Sequence, residues 1–519
     1  MQNEIKREIE RLCTKQFAKQ RSIDETEKKY REKFEKRTNL PATIAPTLTK
    51  TYLLKGYDPK YCKRHANGIS KGIWRSILNA KYAVSPAILS FIPKPDGTSR
   101  EIMAFTIPDA AVANVLLRRV RARNLKRLSP HSYAYHPDKN VFDAIIALKD
   151  FDDQGKLFAV QVDFRRYFDS IPTGYLKSKL NDREALSITP HERAVFDAFL
   201  NHKYGTKSDF SAHSFRRRIK GTPQGSSASL LLANIANNDL DRSLAFESGK
   251  FVRFADDVVA LANNYEGAVR LEKCFQQHCA VSGLILNKEK SPGIGLISDF
   301  SQEIRTNRSF TYLGYGFTES GLEMPEKSAR RFKSKVSRLL NIYLINALKY
   351  GFNKKRVGTG PNYDWDLLGF IYELRRSIYG GLSEEKVSGF ISGKCGLNQM
   401  RGLMGFYALL DDKKRLVELD GWLVNATMRA YKVRKDILLA KYGEASPHLT
   451  AENLIIGNWL DLTSWETDDG LDEDVEVRFP SLVRGWRAAR KYYFTRGLER
   501  VQPPTYQSSD DMLSIFDFS

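Results

Sequence analysis

The chain has only five cysteines in 519 residues: Cys13, Cys62, Cys274, Cys279 and Cys395. They are odd in number and never form the C-x2-C pairs that a structural zinc site needs. This excludes a disulfide-stapled scaffold and points to reduced thiols in a cytoplasmic protein. Cys274, His278 and Cys279 stand together in LEKCFQQHCAVSGL, but the period of that run suits a packed helix better than a metal centre. No stretch approaches the ~18 apolar residues of a membrane span, and the opening MQNEIKREIERL has no apolar signal core. Secretion and membrane contact are therefore not expected. Internal repeats and low-complexity tracts are missing too, and residues 1–37 contain neither Gly nor Pro.

What the chain does have is positive charge. Lys and Arg number 82 against 61 Asp and Glu, a formal +21, which favours a polyanionic partner such as nucleic acid. With 42% hydrophobic residues it can bury several cores, enough for two to four domains. Residues 1–60 read as a helical N-terminal arm that either stays solvated or serves oligomerisation and RNA contact. From about residue 61 to 325, short β-rich runs alternate with helical ones, as in a mixed α+β domain. Residues 326–440 turn helical, with Phe332, Val336, Leu339, Leu340 and Tyr343 on one face, and residues 441–519 form a C-terminal extension.

Adjacent aspartates recur along the chain, but only Asp256-Asp257 lies between two apolar β-type runs, in FVRFADDVVALA. That segment reads as strand, tight turn, strand. Two unpaired carboxylates at a buried hairpin tip are costly unless a cation neutralises them, and hard divalent ions take carboxylate and phosphate oxygens. A further carboxylate comes from LFAVQVDFRRYFDSIP, where Asp163 ends an alternating β run. Two ions about 3.5–4 Å apart, held by such a set, activate a hydroxyl and stabilise a pyrophosphate leaving group.

VDFRRYFDSI, GTPQGSSASLLLANI and FADD, in that order and with Asp256 93 positions after Asp163, resemble the catalytic motifs of the reverse transcriptases. ILSFIPKPDGTSREIMAFTIP and SYAYHPDKNVFDAI resemble the fingers motifs of that family, LILNKEKS the next palm motif, and FTYLGYGF the primer-grip hairpin. The thumb-like GLMGFYALLDDKKRLVELDGWLVNATMRAYKVR is similar to the group II intron branch. The N-terminal arm and C-terminal extension resemble the antiphage defence-associated bacterial enzymes.

The resemblance implies an α+β right-hand polymerase with fingers, a ferredoxin-like palm and a helical thumb. It implies RNA-directed DNA synthesis from dNTPs with two Mg2+ ions, Mn2+ being an alternative, on an RNA template that is an adjacent noncoding RNA, with DNA as product. Asp163, Asp256 and Asp257 would be the catalytic and metal-binding acids. Lys94 and Arg100 would hold the triphosphate, Gln224 and Gly225 would lie beside the nascent pair, Phe168 would exclude a 2′-hydroxyl, and Lys288 would be the basic residue of its motif. A maturase-type retroelement polymerase and a non-catalytic RNA-binding scaffold are the rival readings.

The chain departs from the family at Phe254, where Tyr is common, and at Ser226, Ser227 and Ser229-Leu230; no metal ligand is lost. Arginine-rich LLRRVRARNLKRL (116–128) and the cluster Arg216, Arg217, Arg218 and Lys220 read as nucleic-acid-binding surfaces. Some relatives prime on a protein hydroxyl, and the tail from Val501, with Tyr506 and Ser508, is the candidate segment for that.

Overall fold

The computed structural model describes residues 1–42, 52–93, 97, 99–150, 157–247, 250–298, 306–461, 476–498 and 501. The architecture is α+β, in two compact units: Met1–Ser22 with Thr47–Leu313, and Ile23–Pro46 with Gly314–Ser519. Lys94 and the tail residues Tyr506 and Ser508 lie outside the described residues.

Two sheets organise the first unit. One contains β1 (Ala87–Pro93), β2 (Ser99–Ala104), β4 (Lys203–Gly205) and β5 (Arg216–Arg217) in the order β2-β1-β4-β5. The hairpin β1–β2, in the segment expected to form the fingers, pairs Ile92 with Arg100. The other contains β3 (Leu157–Val162), β6 (Lys250–Phe254), β7 (Asp257–Ala262), β8 (Gly293–Ile297) and β9 (Thr306–Asn307) in the order β6-β7-β3-β8-β9. Its first four strands, with the helices that connect β3 to β6 and β7 to β8, give the ferredoxin-like palm. Strands β3 and β7 are nearly continuous apolar runs, and the helix Tyr265–Ser282 packs on both. That helix starts where Asn264 Oδ1 accepts from the Gly267 N–H at 2.7 Å and stops at Gly283 (φ 71°), whose left-handed conformation suits glycine. It buries Cys274 and His278, whose Nε2 bonds to Asn237 Oδ1 at 3.0 Å.

The expected N-terminal arm is one helix, Gln2–Thr38, and its residues divide between the two units. In the first unit one face of it packs inward: Ile5, Ile9 and Cys13, at helical spacing, are fully buried in the core. Glu8 is buried with them and accepts from Arg118 Nη1 (2.9 Å), Asn114 Nδ2 (2.8 Å) and Arg11. Against the cost of burial, these donors hold its carboxyl down at about 2. In the arginine run 116–128, expected to face RNA, Arg118, Arg119 and Arg123 pair with acids while remaining partly exposed. Arg119 binds Glu4 at 2.7 Å, and Arg123 grips Glu192 through two 2.8 Å bonds.

In the second unit the hairpin Tyr315–Thr318/Gly321–Glu323 precedes helices Glu326–Leu340, Trp365–Tyr379, Lys414–Tyr442 and Leu482–Arg496. Phe332, Val336, Leu339, Leu340 and Tyr343 are buried, as their spacing predicts. A charged cluster also lies inside. Arg434, with no exposure, donates to Asp364 Oδ2 (2.7 Å) and Asp366 Oδ2 (3.0 Å), and Asp366 Oδ1 accepts from Arg37 Nε (3.0 Å). None of the described helices is long and apolar enough to cross a membrane.

Candidate active site

Antiparallel register brings the three aspartates to one end of the palm sheet. Val162, the last residue of β3, pairs with Val258 of β7, so Asp163 just past β3 and Asp257 at the start of β7 sit at adjacent strand ends. Asp256 occupies the β6–β7 turn, after Ala255 in the left-handed region (φ 63°), a conformation that costs a non-glycine residue about 1–3 kcal/mol unless its surroundings hold it. Arg253 supplies the hold. Its Nη1 donates to the Ala255 carbonyl at 3.1 Å, while Nε and Nη2 clamp the Asp241 carboxylate at 2.7 and 2.6 Å. Arg253 is 1% exposed and Asp241 equally buried, so the turn rests on a dry ion pair.

The carboxylates feel one another. Burial, with Asp163 adding repulsion, raises the Asp256 carboxyl, and the charges of Arg100 and Lys290 pull it back. Burial, with Asp256 and Asp163 behind it, pushes Asp257 up to about 7. Among the described residues no three His, Cys, Asp or Glu side chains converge as a metal-ligand cluster. The donors nonetheless fit a hard divalent cation: all are carboxylate oxygens, and their mutual repulsion is what a cation relieves.

A raised acid costs stability once it ionises. For Asp257 the penalty is absent below the ordinary carboxylate range, grows as pH rises from about 4 to 7, and is complete above that. Metal-free Asp257→Asn protein should accordingly melt like the parent near pH 4. It should be more stable at pH 8, by an amount on the order of 4 kcal/mol. Thermal unfolding in chelator across that range checks this, and a difference that does not vary with pH sinks it.

Asp163 is positioned by the segment after the helix Tyr265–Ser282. Its carbonyl accepts from the Asn287 N–H (2.8 Å), its N–H donates to Ser291 Oγ (3.0 Å), and its Oδ2 accepts from Asn287 Nδ2 (3.1 Å), with Lys290 Nζ 4.0 Å away. Lys288, expected among the nucleotide contacts, is exposed, and Asn287 and Lys290 on either side of it face the acid.

The GTPQG loop is tied to two neighbours. Thr222 N–H donates to the Phe168 carbonyl at 2.6 Å, fixing the backbone of a half-buried ring that stands edge-on to Tyr167. Gln224 Nε2 donates to Asp169 Oδ2 (3.1 Å), and its carbonyl accepts from the Met103 N–H of β2 (2.7 Å). Gly225 has φ 114°, and a Cβ there would stand 2.3 Å from the Met103 carbonyl oxygen. Its glycine is thus required by close approach to β2. Arg218, expected on the nucleic-acid surface, is buried and donates to Asp169 Oδ1 (2.9 Å) and to the Thr222 carbonyl (3.1 Å), because a guanidinium is what holds Asp169 toward Gln224. Arg216, Arg217 and Lys220 are exposed, with Arg216 over the Tyr204 ring at 5.2 Å. Asp169 was missed in the sequence although it lies in the same motif as Asp163.

Residues 92–317 match the family model described as reverse transcriptase (RNA-dependent DNA polymerase), which supports a domain of that family over this segment. The chain is 23% identical over 313 residues to Protein YkfC of Escherichia coli K12, spanning 51% of this chain and 77% of that protein. Among solved structures it is similar to the apo telomerase of Candida tropicalis truncated from its C-terminal domain (TM-score 0.35, 16% identity, 50% of this chain and 60% of that one). It is also similar to the telomerase of Candida albicans in complex with a fragment of telomeric RNA (0.38, 14%, 78% and 67%). A third is a foamy viral protease-reverse transcriptase in complex with double-stranded DNA (0.30, 13%, 76% and 53%). The chain thus spans less than two thirds of the Candida tropicalis and foamy viral proteins.

Proposed function

We propose that this protein is an RNA-directed DNA polymerase that extends a 3′-hydroxyl with dNTPs. The observation that carries the reading is the meeting of Asp163, Asp256 and Asp257 at one sheet end, with Asp257 pushed to about 7 by burial and by the other two acids. Asp163 and Asp256 would hold Mg2+, and the ions supply activation of the attacking hydroxyl and neutralisation of the pyrophosphate that leaves. The chain's own part is positional. Arg253 fixes the turn that presents Asp256, and Asn287 orients Asp163. Arg100, which acts electrostatically on Asp256, would hold the triphosphate with Lys94, which belongs to the same hairpin sequence. Phe168, its backbone tied to Thr222, would close the space beneath the sugar.

The finer reading is a cytoplasmic enzyme copying an adjacent noncoding RNA in antiphage defence. It rests on the resemblance of the motif set, the N-terminal helix and the C-terminal extension to such enzymes. The exposed Arg216, Arg217 and Lys220 would contribute to the phosphate contacts.

Primer extension with purified protein tests the function. With Mg2+, dNTPs and an RNA template annealed to a DNA primer, the product should be a full-length complementary strand. Phe168→Ala should raise the ratio of ribonucleotide to deoxyribonucleotide incorporation by at least about tenfold, the scale of one steric contact. No extension on any primed template would overturn the reading, and an unchanged ratio would remove Phe168 as the selector.

A further inference from the structure

The second unit has a cavity of about 720 Å3, within the size range of small-ligand sites, about 300–1,000 Å3. Two helices supply most of its wall. The last turns of Gln2–Thr38 contribute Lys33, Lys36 and Arg37, and one face of Trp365–Tyr379 contributes Trp365, Gly369, Tyr372 and Arg376 at spacings of three and four. Seven cationic side chains line it against four carboxylates.

Most of those carboxylates are already neutralised. Asp366 takes Arg37 (3.0 Å) and Arg356 (2.9 Å), Glu373 takes Lys33 (3.8 Å), and Glu476 takes Arg375 (3.1 Å). Lys36, Arg376 and Lys386 remain, exposed on the lining and without a carboxylate partner among the described residues; Glu385 is the one acid left beside them. Arg375, only 7% exposed, lines the same cavity, and its Nε has no acceptor among the described residues. Tyr372 is 58% exposed on the wall, with the Trp365 indole one turn and more behind it on the same helix face. Spare cations around an open aromatic face are the two halves of nucleotide recognition: phosphates on the charges, a base on the ring.

We propose that this cavity is a second nucleotide site that binds a 5′-phosphorylated nucleotide end, with the phosphates on Lys36, Arg376 and Lys386 and the base against Tyr372. A free nucleoside triphosphate and the triphosphorylated 5′ end of an RNA present the same chemistry. The site lies wholly within Ile23–Pro46 and Gly314–Ser519, and it stands whether or not the palm polymerises.

Binding to the full-length protein in EDTA tests this, because chelation removes metal-dependent nucleotide binding at the palm aspartates. The probes are ATP, inorganic tripolyphosphate, and one short oligoribonucleotide made with a 5′-triphosphate or a 5′-hydroxyl. ATP should bind without metal, and the double variant Lys36→Glu/Arg376→Glu should weaken it at least about tenfold, the effect of losing one or two charge-assisted contacts. Tyr372→Ala should weaken ATP by about threefold or more while leaving tripolyphosphate unchanged. These side chains are exposed, so the variants should keep the parent melting temperature and primer extension. Competition with ATP by the triphosphorylated RNA alone identifies an RNA end as ligand, and no competition by either RNA identifies a free nucleotide. The proposal is overturned if ATP does not bind, if the double variant binds it as the parent does, or if 5′-hydroxyl RNA competes equally.

Discussion

Asp256→Asn is expected to reduce nucleotide incorporation by about a thousandfold or more and to leave the fold intact, and Asp163→Asn should do the same. Each exchange keeps the volume of the side chain and removes the charge that would hold a cation. The fold should tolerate it because the exchange is isosteric, and at Asp256 it also removes a strained charge. Asp256 is raised by burial and by Asp163, so an amide relieves repulsion in the metal-free protein. The expected signature is therefore double: activity disappears while the melting temperature in chelator stays level or rises. Single-turnover incorporation and thermal unfolding of the same preparations read the two together. Full activity in Asp256→Asn, with contaminating polymerase excluded, would leave a nucleic-acid-binding scaffold as the better account.

Arg253→Met should have the largest effect on stability. The guanidinium is 1% exposed and bonded to Asp241, Asn234 and the Ala255 carbonyl. Removing it leaves the Asp241 carboxylate dry and unpaired, a loss of about 3–5 kcal/mol, or a melting temperature lower by roughly 10 °C for a unit of this size. The double variant Arg253→Met/Asp241→Leu should recover most of that loss, because a buried pair replaced by apolar groups costs little. Activity should not recover with it, since the Ala255 carbonyl still lacks its donor and the turn that presents Asp256 is released. Denaturant unfolding and primer extension on the set of three check the split. Recovery of activity along with stability would show that the Asp241 pair alone matters.

The palm was legible because its evidence is local. An alternating run ending in Asp163, and two apolar strands around Asp256-Asp257, specify strand ends and a hairpin without knowledge of anything distant. The supports were not legible because their partners are far along the chain. Arg253 stands in an apolar strand, which signals a buried cation, but the acid that pairs with it is on a preceding helix. The ion pairs of the arginines at 118, 119 and 123 were not legible because their partners Glu8, Glu4 and Glu192 are up to 115 positions away. Arg218 was misplaced for the same reason, with Asp169 49 positions before it. Composition reports how much charge there is, and only the tertiary fold reports how much of it is left over.

Gly225 shows how a position can be held fixed for reasons unrelated to chemistry. Its left-handed backbone and its closeness to the Met103 carbonyl each exclude a side chain, and both constraints come from the seam between the GTPQG loop and β2. Descendants of this chain that gave up polymerisation and kept the fold would be free to lose Asp163 and Asp256, yet not this glycine. Drift in such a lineage would erase the acids first and leave the loop as a fossil of the enzyme, so an intact loop by itself is no record of activity.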